Sequence, residues 1–284
     1  MIRVESLSFT YPRSTGPAVQ DLSFTVAEGE VFGFLGPSGA GKSTTQNILI
    51  GLIRGFEGSA TVMGRSLTEW DSTYYRRIGV SFEFPNHYLK LTARENLELF
   101  RALHGGATES VETLLDMVGL SDAIDVRVSD FSKGMKNRLT FTRSLLHRPR
   151  LWFLDEPTAG LDPVNSRRIM EIIESRRRDG ITTFLTTHDM VVADKLCDRV
   201  GFIVGGRLEV IDTPRSLRLQ YGTREVRVTW EEDAGPRSAM FPLDRLADDA
   251  PFLETLRTHR IESIHSQETT LEDVFIQVTG TSLA

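Results

Sequence analysis

The sequence predicts an α/β fold: a mostly parallel sheet core with an antiparallel β flank, an inserted helical subdomain and a small C-terminal α+β domain. Three observations carry this prediction. The runs EVFGFL (30–35), LWFL (151–154) and TTFLTT (182–187) have the composition of strands buried on both faces of a parallel sheet. Segments of helical period separate them, as parallel connections require. Charge is uneven along the chain: residues 224–284 hold six arginines against twelve carboxylates, which accounts for the whole net charge of −6 and fits a separate acidic module as well as it fits a solvated acidic face.

In chain order, RVESLSFTY (3–11) and LSFTVAEGEVFGFL (22–35) alternate apolar and polar residues and predict antiparallel strands. KSTTQNILIGLI (42–53) then predicts a helix. From Leu89 to Arg148 the chain turns mostly helical, with TARENLELFRALHG (92–105) and ESVETLLDMVGL (109–120) as the clearest amphipathic pieces; this is the inserted subdomain. VGFIVGGRLEVI (200–211) reads as a hairpin turning at Gly205-Gly206. A charged connecting segment is expected from about Pro214, giving domains at 1–215 and 223–284. In the second domain REVRVTW (224–230) alternates like a strand. TTLEDVFIQVTG (269–280) places Leu271, Val274, Phe275 and Val278 on one helical face, with Thr269 and Glu272 spaced as a capping box and Gly280 as the stop.

Composition excludes several classes. Cys197 is the only cysteine of the 284 residues, so intrachain disulfides and multi-cysteine zinc clusters are ruled out, and a buried, inert thiol is expected. No apolar run reaches the roughly 18 residues of a membrane helix, and MIRVESLSFTYP lacks the apolar core of a signal peptide. Cytoplasmic residence is the expectation. No basic stripe points to nucleic acid as a partner.

The segment GPSGAGKST, comprising Gly36, Pro37, Ser38, Gly39, Ala40, Gly41, Lys42, Ser43 and Thr44, fits the phosphate-binding loop G-x-x-x-x-G-K-[ST] between a buried strand and a helix. Its glycines let several backbone N–H groups face one phosphate, and the helix N-terminus adds partial positive charge. Lys42 is expected to reach the outer phosphates and the Ser43 hydroxyl to ligate magnesium. The run LWFLDE ends in Asp155 and Glu156. Ligands of an open parallel sheet bind beyond the carboxyl ends of its strands, so these acids face the site. Asp155 is read as a magnesium ligand and Glu156 as the base that orients the water attacking the γ-phosphate. TTHD places His188 at the same edge, as a phosphate contact. Together these residues describe a P-loop nucleoside triphosphatase.

With FSKGMKNRL (131–139) standing about twenty residues before LWFLDE, residues 1 to about 215 resemble the ATP-binding subunits of ABC transporters. The segment is similar to the family signature Leu-Ser-Gly-Gly-Gln, with Lys133 in place of the first signature glycine and Met135 in place of the glutamine, a variant similar to drug-export subunits. The resemblance implies an ABC-type ATPase domain that pairs head to tail with a second copy, Ser132 and Gly134 of one contacting the γ-phosphate held by the other, with Lys133 and Met135 beside them. It further implies that Tyr11 stacks on adenine and that Asp162 lies in the loop linking the two sites. Glu83 occupies the place where the family usually carries glutamine and is read as a metal-side ligand. Phe84 to Leu91 is expected to dock a separate multispan membrane permease.

The tail TTLEDVFIQVTG, with SKGM and FPNHY, resembles exporters of the fluoroquinolone-export kind. ATP and magnesium are the implied ligands. Export of a drug or other small hydrophobic compound, from a position on the inner face of the cell membrane, is the implied function. A rival class is a soluble ABC-type ATPase acting as a switch on ribosomes or nucleic acid; such proteins usually join two cassettes in one chain or carry long coiled coils, and neither pattern is present. A kinase or a GTP switch would need an acceptor site or an Asn-Lys-x-Asp guanine reader, and no such reader occurs in the sequence.

Overall fold

The computed structural model describes residues 1–282 apart from 105–106, 223, 233–234 and 268. Gly105, which closes the first amphipathic piece, and the expected domain start at 223 lie outside the described residues. The chain divides into two compact units, Met1–Thr213 and Pro214–Ser282.

The first unit runs β1 (Ile2–Phe9), β2 (Val19–Val26), β3 (Val31–Leu35), α1 (Lys42–Ile50), β4 (Glu57–Val62), β5 (Arg65–Ser66) and β6 (Ile78–Ser81). Helices α2 (Ala93–His104), α3 (Val111–Met117) and α4 (Lys133–Leu145) follow. It ends with β7 (Leu151–Asp155), α5 (Pro163–Arg178), β8 (Thr182–Thr187), α6 (Met190–Leu196), β9 (Arg199–Val204) and β10 (Arg207–Asp212).

Two sheets form. One has the order β10-β9-β3-β8-β7-β6, parallel except for β10 at its edge; the other is antiparallel, β2-β1-β4-β5. Strand β3 and the first four residues of β7 are wholly buried, as their continuous apolar pattern demands. The core between the sheets joins α1 to rings from both: Phe24, Phe32, Phe34 and Phe184 pack with centroids 5.5–6.1 Å apart. Each such ring contributes about 2 kcal/mol by burial. The β9–β10 hairpin turns at Gly205 and Gly206, whose φ values of 54° and 78° match the turn that follows strand twist.

The second unit is α7 (Pro214–Tyr221), β11 (Glu225–Glu232), β12 (Gly235–Pro242), α8 (Ala250–Thr258), β13 (Arg260–Gln267) and α9 (Leu271–Thr279), with the antiparallel order β12-β11-β13. Val226, Val228, Phe241 and Phe252 form its core. Two expectations need correction. The connecting segment from Pro214 is a helix, because Leu217 is buried and α7 packs with α9. The capping box of α9 is Thr270 and Asp273, one residue later than the Thr269–Glu272 reading. The Thr270 hydroxyl accepts from the Asp273 N–H, and the Asp273 carboxylate accepts from the Thr270 N–H. Both spacings satisfy the motif, and burial of Leu271, Val274 and Phe275 selects the frame.

Candidate functional site

Strand β3 delivers the chain to Gly36, where a Cβ would lie 2.1 Å from the Ile203 carbonyl oxygen, so only glycine fits against the neighbouring strand. The loop closes at Gly41, with φ 108°, and α1 begins without a side-chain cap and without an acid in its first turn. A helix start so arranged keeps its positive end for an anion. The Lys42 ammonium is buried and folds back over the loop, donating to the carbonyls of Gly36 at 2.6 Å and Pro37 at 3.0 Å. Burial holds its pKa below the ordinary lysine value, and the charges of Glu156, Asp155 and Glu83 oppose that shift.

Parallel pairing of β7 with β8 sets Asp155 beside Thr186, whose hydroxyl donates to Asp155 Oδ1 at 2.5 Å. Burial raises the pKa of Asp155, the charges of Glu156 and Glu83 add to the rise, and the Thr186 hydroxyl and Lys42 oppose it. Glu156 sits at φ 48°, a backbone conformation that costs about 1 kcal/mol or more for a residue with a side chain. Its surroundings hold it there. The Glu156 N–H donates to the Thr186 carbonyl at 2.9 Å and its own carbonyl accepts from Ala159 at 3.0 Å. One carboxylate oxygen accepts from the Thr187 hydroxyl at 2.8 Å; the other accepts from the His188 N–H at 3.0 Å and lies 2.6 Å from His188 Nδ1.

One cleft of about 400 Å³ gathers Tyr11, Ala18, Ser38, Gly39, Gly41, Lys42, Ser43, Thr44, Glu83, Asp155, Glu156 and His188. Gly36, Pro37 and Ala40 of the loop are not among its lining residues. Tyr11 is half-exposed, packs edge-on to Phe9 and places its hydroxyl 3.3 Å from that of Thr44. Glu83 is exposed just beyond β6. The Ser43 hydroxyl, Asp155 and Glu83 line this same cleft and offer oxygen donors only. That is the chemistry of magnesium sites in which substrate phosphates complete the shell, so the residues fit that ion.

The cleft does not include Ser132, Lys133, Gly134, Met135 or Asp162. Ser132 caps α4, accepting from the Met135 N–H at 3.2 Å, and is exposed with Lys133. Asp162 caps α5, accepting from the Val164 and Asn165 N–H groups. Sequence reasoning missed Thr186 and Thr187, which fix both acids, and the buried Gln46, whose side-chain oxygen stands 3.1 Å from the Thr186 hydroxyl. Their signal was polarity inside a strand and a helix that are otherwise buried.

Comparison with known proteins identifies the family. The family described as "ABC transporter" matches residues 19–159, and "Fluoroquinolone efflux ABC transporter C-terminal domain" matches residues 224–268. The chain is 54% identical, over all its 284 residues and 94% of the relative, to a fluoroquinolones export ATP-binding protein of Mycobacterium tuberculosis. It is 41% identical over 220 residues, 76% of this chain and 66% of the relative, to the Nod factor export ATP-binding protein I of Rhizobium meliloti. Among solved structures, a dimeric ATP-binding cassette in a post-hydrolysis state bound to ADP and Pi superposes with a TM-score of 0.70 at 26% identity, over 75% of this chain and 98% of that one.

Proposed function

The chain belongs to the ABC transporter family as the ATP-binding, ATP-hydrolysing subunit of an exporter, and on that premise we propose how its residues divide the work. Tyr11 stacks on adenine, the 36–44 loop and Lys42 cradle the phosphates, and Glu156 accepts the proton of the attacking water while His188 contacts the γ-phosphate. Ser43, Asp155 and Glu83 would hold magnesium, which when bound neutralises charge on the outer phosphates. The observation that carries this reading is the Glu156 carboxylate, fixed on both oxygens by Thr187 and His188 in a cleft that also holds Lys42 and Asp155.

A single chain supplies half of each site. Ser132 and Gly134, with Lys133 and Met135, complete the cleft of a second copy, and Asp162 lies in the loop between the two sites. The Ser132 hydroxyl accepts a bond from within α4, which leaves its own proton to donate outward. The copies close on ATP and reopen on hydrolysis, driving a separate multispan permease that carries a drug or other small hydrophobic compound. The permease docks at Phe84–Leu91, where Phe84, Tyr88 and Leu89 are exposed above a groove lined by Phe82, Asn86, His87, Tyr88 and Phe100. The subunit then sits on the inner face of the cell membrane; among the described residues no helix is long and apolar enough to cross one. The ribosome or nucleic-acid switch is not favoured, since the relatives are export proteins.

Glu156→Gln tests the assignment. The variant is expected to bind ATP with native affinity, to lose at least about 100-fold in turnover and to accumulate as an ATP-bound dimer in sedimentation. Native turnover would remove Glu156 from the base role.

A further inference from the structure

Asn137 lies on α4, one turn beyond Ser132, and its side chain leaves that helix. Nδ2 donates to the Ala159 carbonyl at 3.0 Å, while Oδ1 is buried without a partner. The Ala159 N–H in turn donates to the Glu156 carbonyl at 3.0 Å. Two hydrogen bonds therefore run from the signature helix to the backbone of Glu156, held at φ 48°. Packing reinforces the link. A Cβ on Gly134 would lie 3.6 Å from Leu161 Cδ2, and the Lys133 Cε would lie 3.5 Å from a Cβ on Gly160. Residues 159–162 are thus held at one end by α4 and at the other by the Asp162 cap of α5.

The geometry points to Asn137 as a positioning residue that sets Glu156 according to where the signature helix lies. This inference rests on the paired-site reading above. There, Ser132 and Gly134 of one chain meet the triphosphate of the other, so displacement of α4 is passed through Asn137 and Ala159 to the base of the chain's own cleft. Each pocket then responds to the filling of its twin, and hydrolysis is cooperative in ATP. Because Glu156 holds a costly backbone conformation, loss of a supporting bond moves it more readily than it would a relaxed residue.

Three full-length variants test this. Asn137→Asp keeps the shape and removes the donor, Asn137→Ala removes the amide, and Asn137→Gln restores an N–H. Steady-state ATPase against ATP concentration, equilibrium binding of a fluorescent ATP analogue and the thermal midpoint are measured for each. The Asp and Ala variants are expected to lose about tenfold in kcat, the scale of one buried polar group left unpaired, with the Hill coefficient falling toward one. Nucleotide affinity stays native, the thermal midpoint of the Asp and Ala variants falls by no more than the lost hydrogen bond accounts for, and the Gln variant regains most of the rate. Native kcat and cooperativity in the Asp and Ala variants would overturn the inference. So would a rate loss matched by lost nucleotide affinity and not recovered by Gln. Ser132→Ala and Glu156→Gln are assayed beside them. If Ser132→Ala turns over normally, the paired-site reading fails, and if Glu156→Gln does, the base assignment fails; if both are inactive while the Asn137 variants are native, only the coupling role fails.

Discussion

The phosphate-loop edge and the signature edge of the first unit are each a loop running into a helix start, yet only the first closes on itself. At the phosphate loop Lys42 is buried over its own loop carbonyls, and Asp155 and Glu156 are fixed by Thr186, Thr187 and His188. At the signature edge Ser132 and Lys133 are exposed, and the Ser132 hydroxyl proton has no acceptor within α4. One edge is preorganised by the chain itself. The other presents outward what a second copy would use, which is the division expected when catalysis waits on assembly.

The largest effect that sharpens this contrast is at Asp155. Its pKa is raised, chiefly by burial, so the folded chain holds that proton more firmly than the unfolded chain does. The sign follows from linkage: the stability tied to that proton is present at low pH and lost as pH rises through the folded pKa, which leaves charged Asp155 a liability at neutral pH. Asp155→Asn should lower turnover at least about 100-fold, because the amide replaces the proposed magnesium-side carboxylate, while raising the thermal midpoint of the nucleotide-free protein at pH 7. A lower midpoint in calorimetry would show that Asp155 is a structural acid and that this edge is not strained for function.

A smaller effect probes the other edge, where α4 is anchored through His87. Its Nε2 lies 3.1 Å from the Lys136 carbonyl and 2.8 Å from the Thr140 hydroxyl. Burial, with the charges of Arg143 and Lys136 adding, pushes His87 down to about 4 against a hydrogen bond to the Lys136 carbonyl that raises it. Burial, with His147 and Arg76 adding, does the same to His104. Between the ordinary histidine value and about 4 the unfolded chain binds more protons than the folded one, so stability is full above the ordinary value and falls as pH drops toward 4. The midpoint should fall between pH 7 and pH 5 by roughly 5 °C more in the native chain than in His87→Gln. Equal slopes in the two proteins would free α4 from this anchor.

How much of this was legible in the sequence depended on distance along the chain. The phosphate loop and Asp155-Glu156 are local patterns whose residue types the chemistry demands, and the cleft is built around them; the signature segment is equally local but lies outside that cleft. Thr186 and Thr187 were missed because only the parallel register of β7 against β8 brings them to the acids. No spacing in the sequence encodes that register. Asn137 was hidden for the same reason: its partner, Ala159, is 22 residues away. The α9 cap failed differently, since TTLED offers two overlapping frames and only burial of the helix face separates them.

Complementation between two inactive proteins tests the shared-site claim most directly. Lys42→Ala disables the loop of a copy and Ser132→Phe disables its outward edge, so a head-to-tail pair of one each contains one pocket with both halves intact. Each variant alone should be inactive, and mixing them should restore ATPase activity that rises with the fraction of mixed pairs. A mixture as inactive as its components, with mixed pairs present by native mass measurement, would contradict the account.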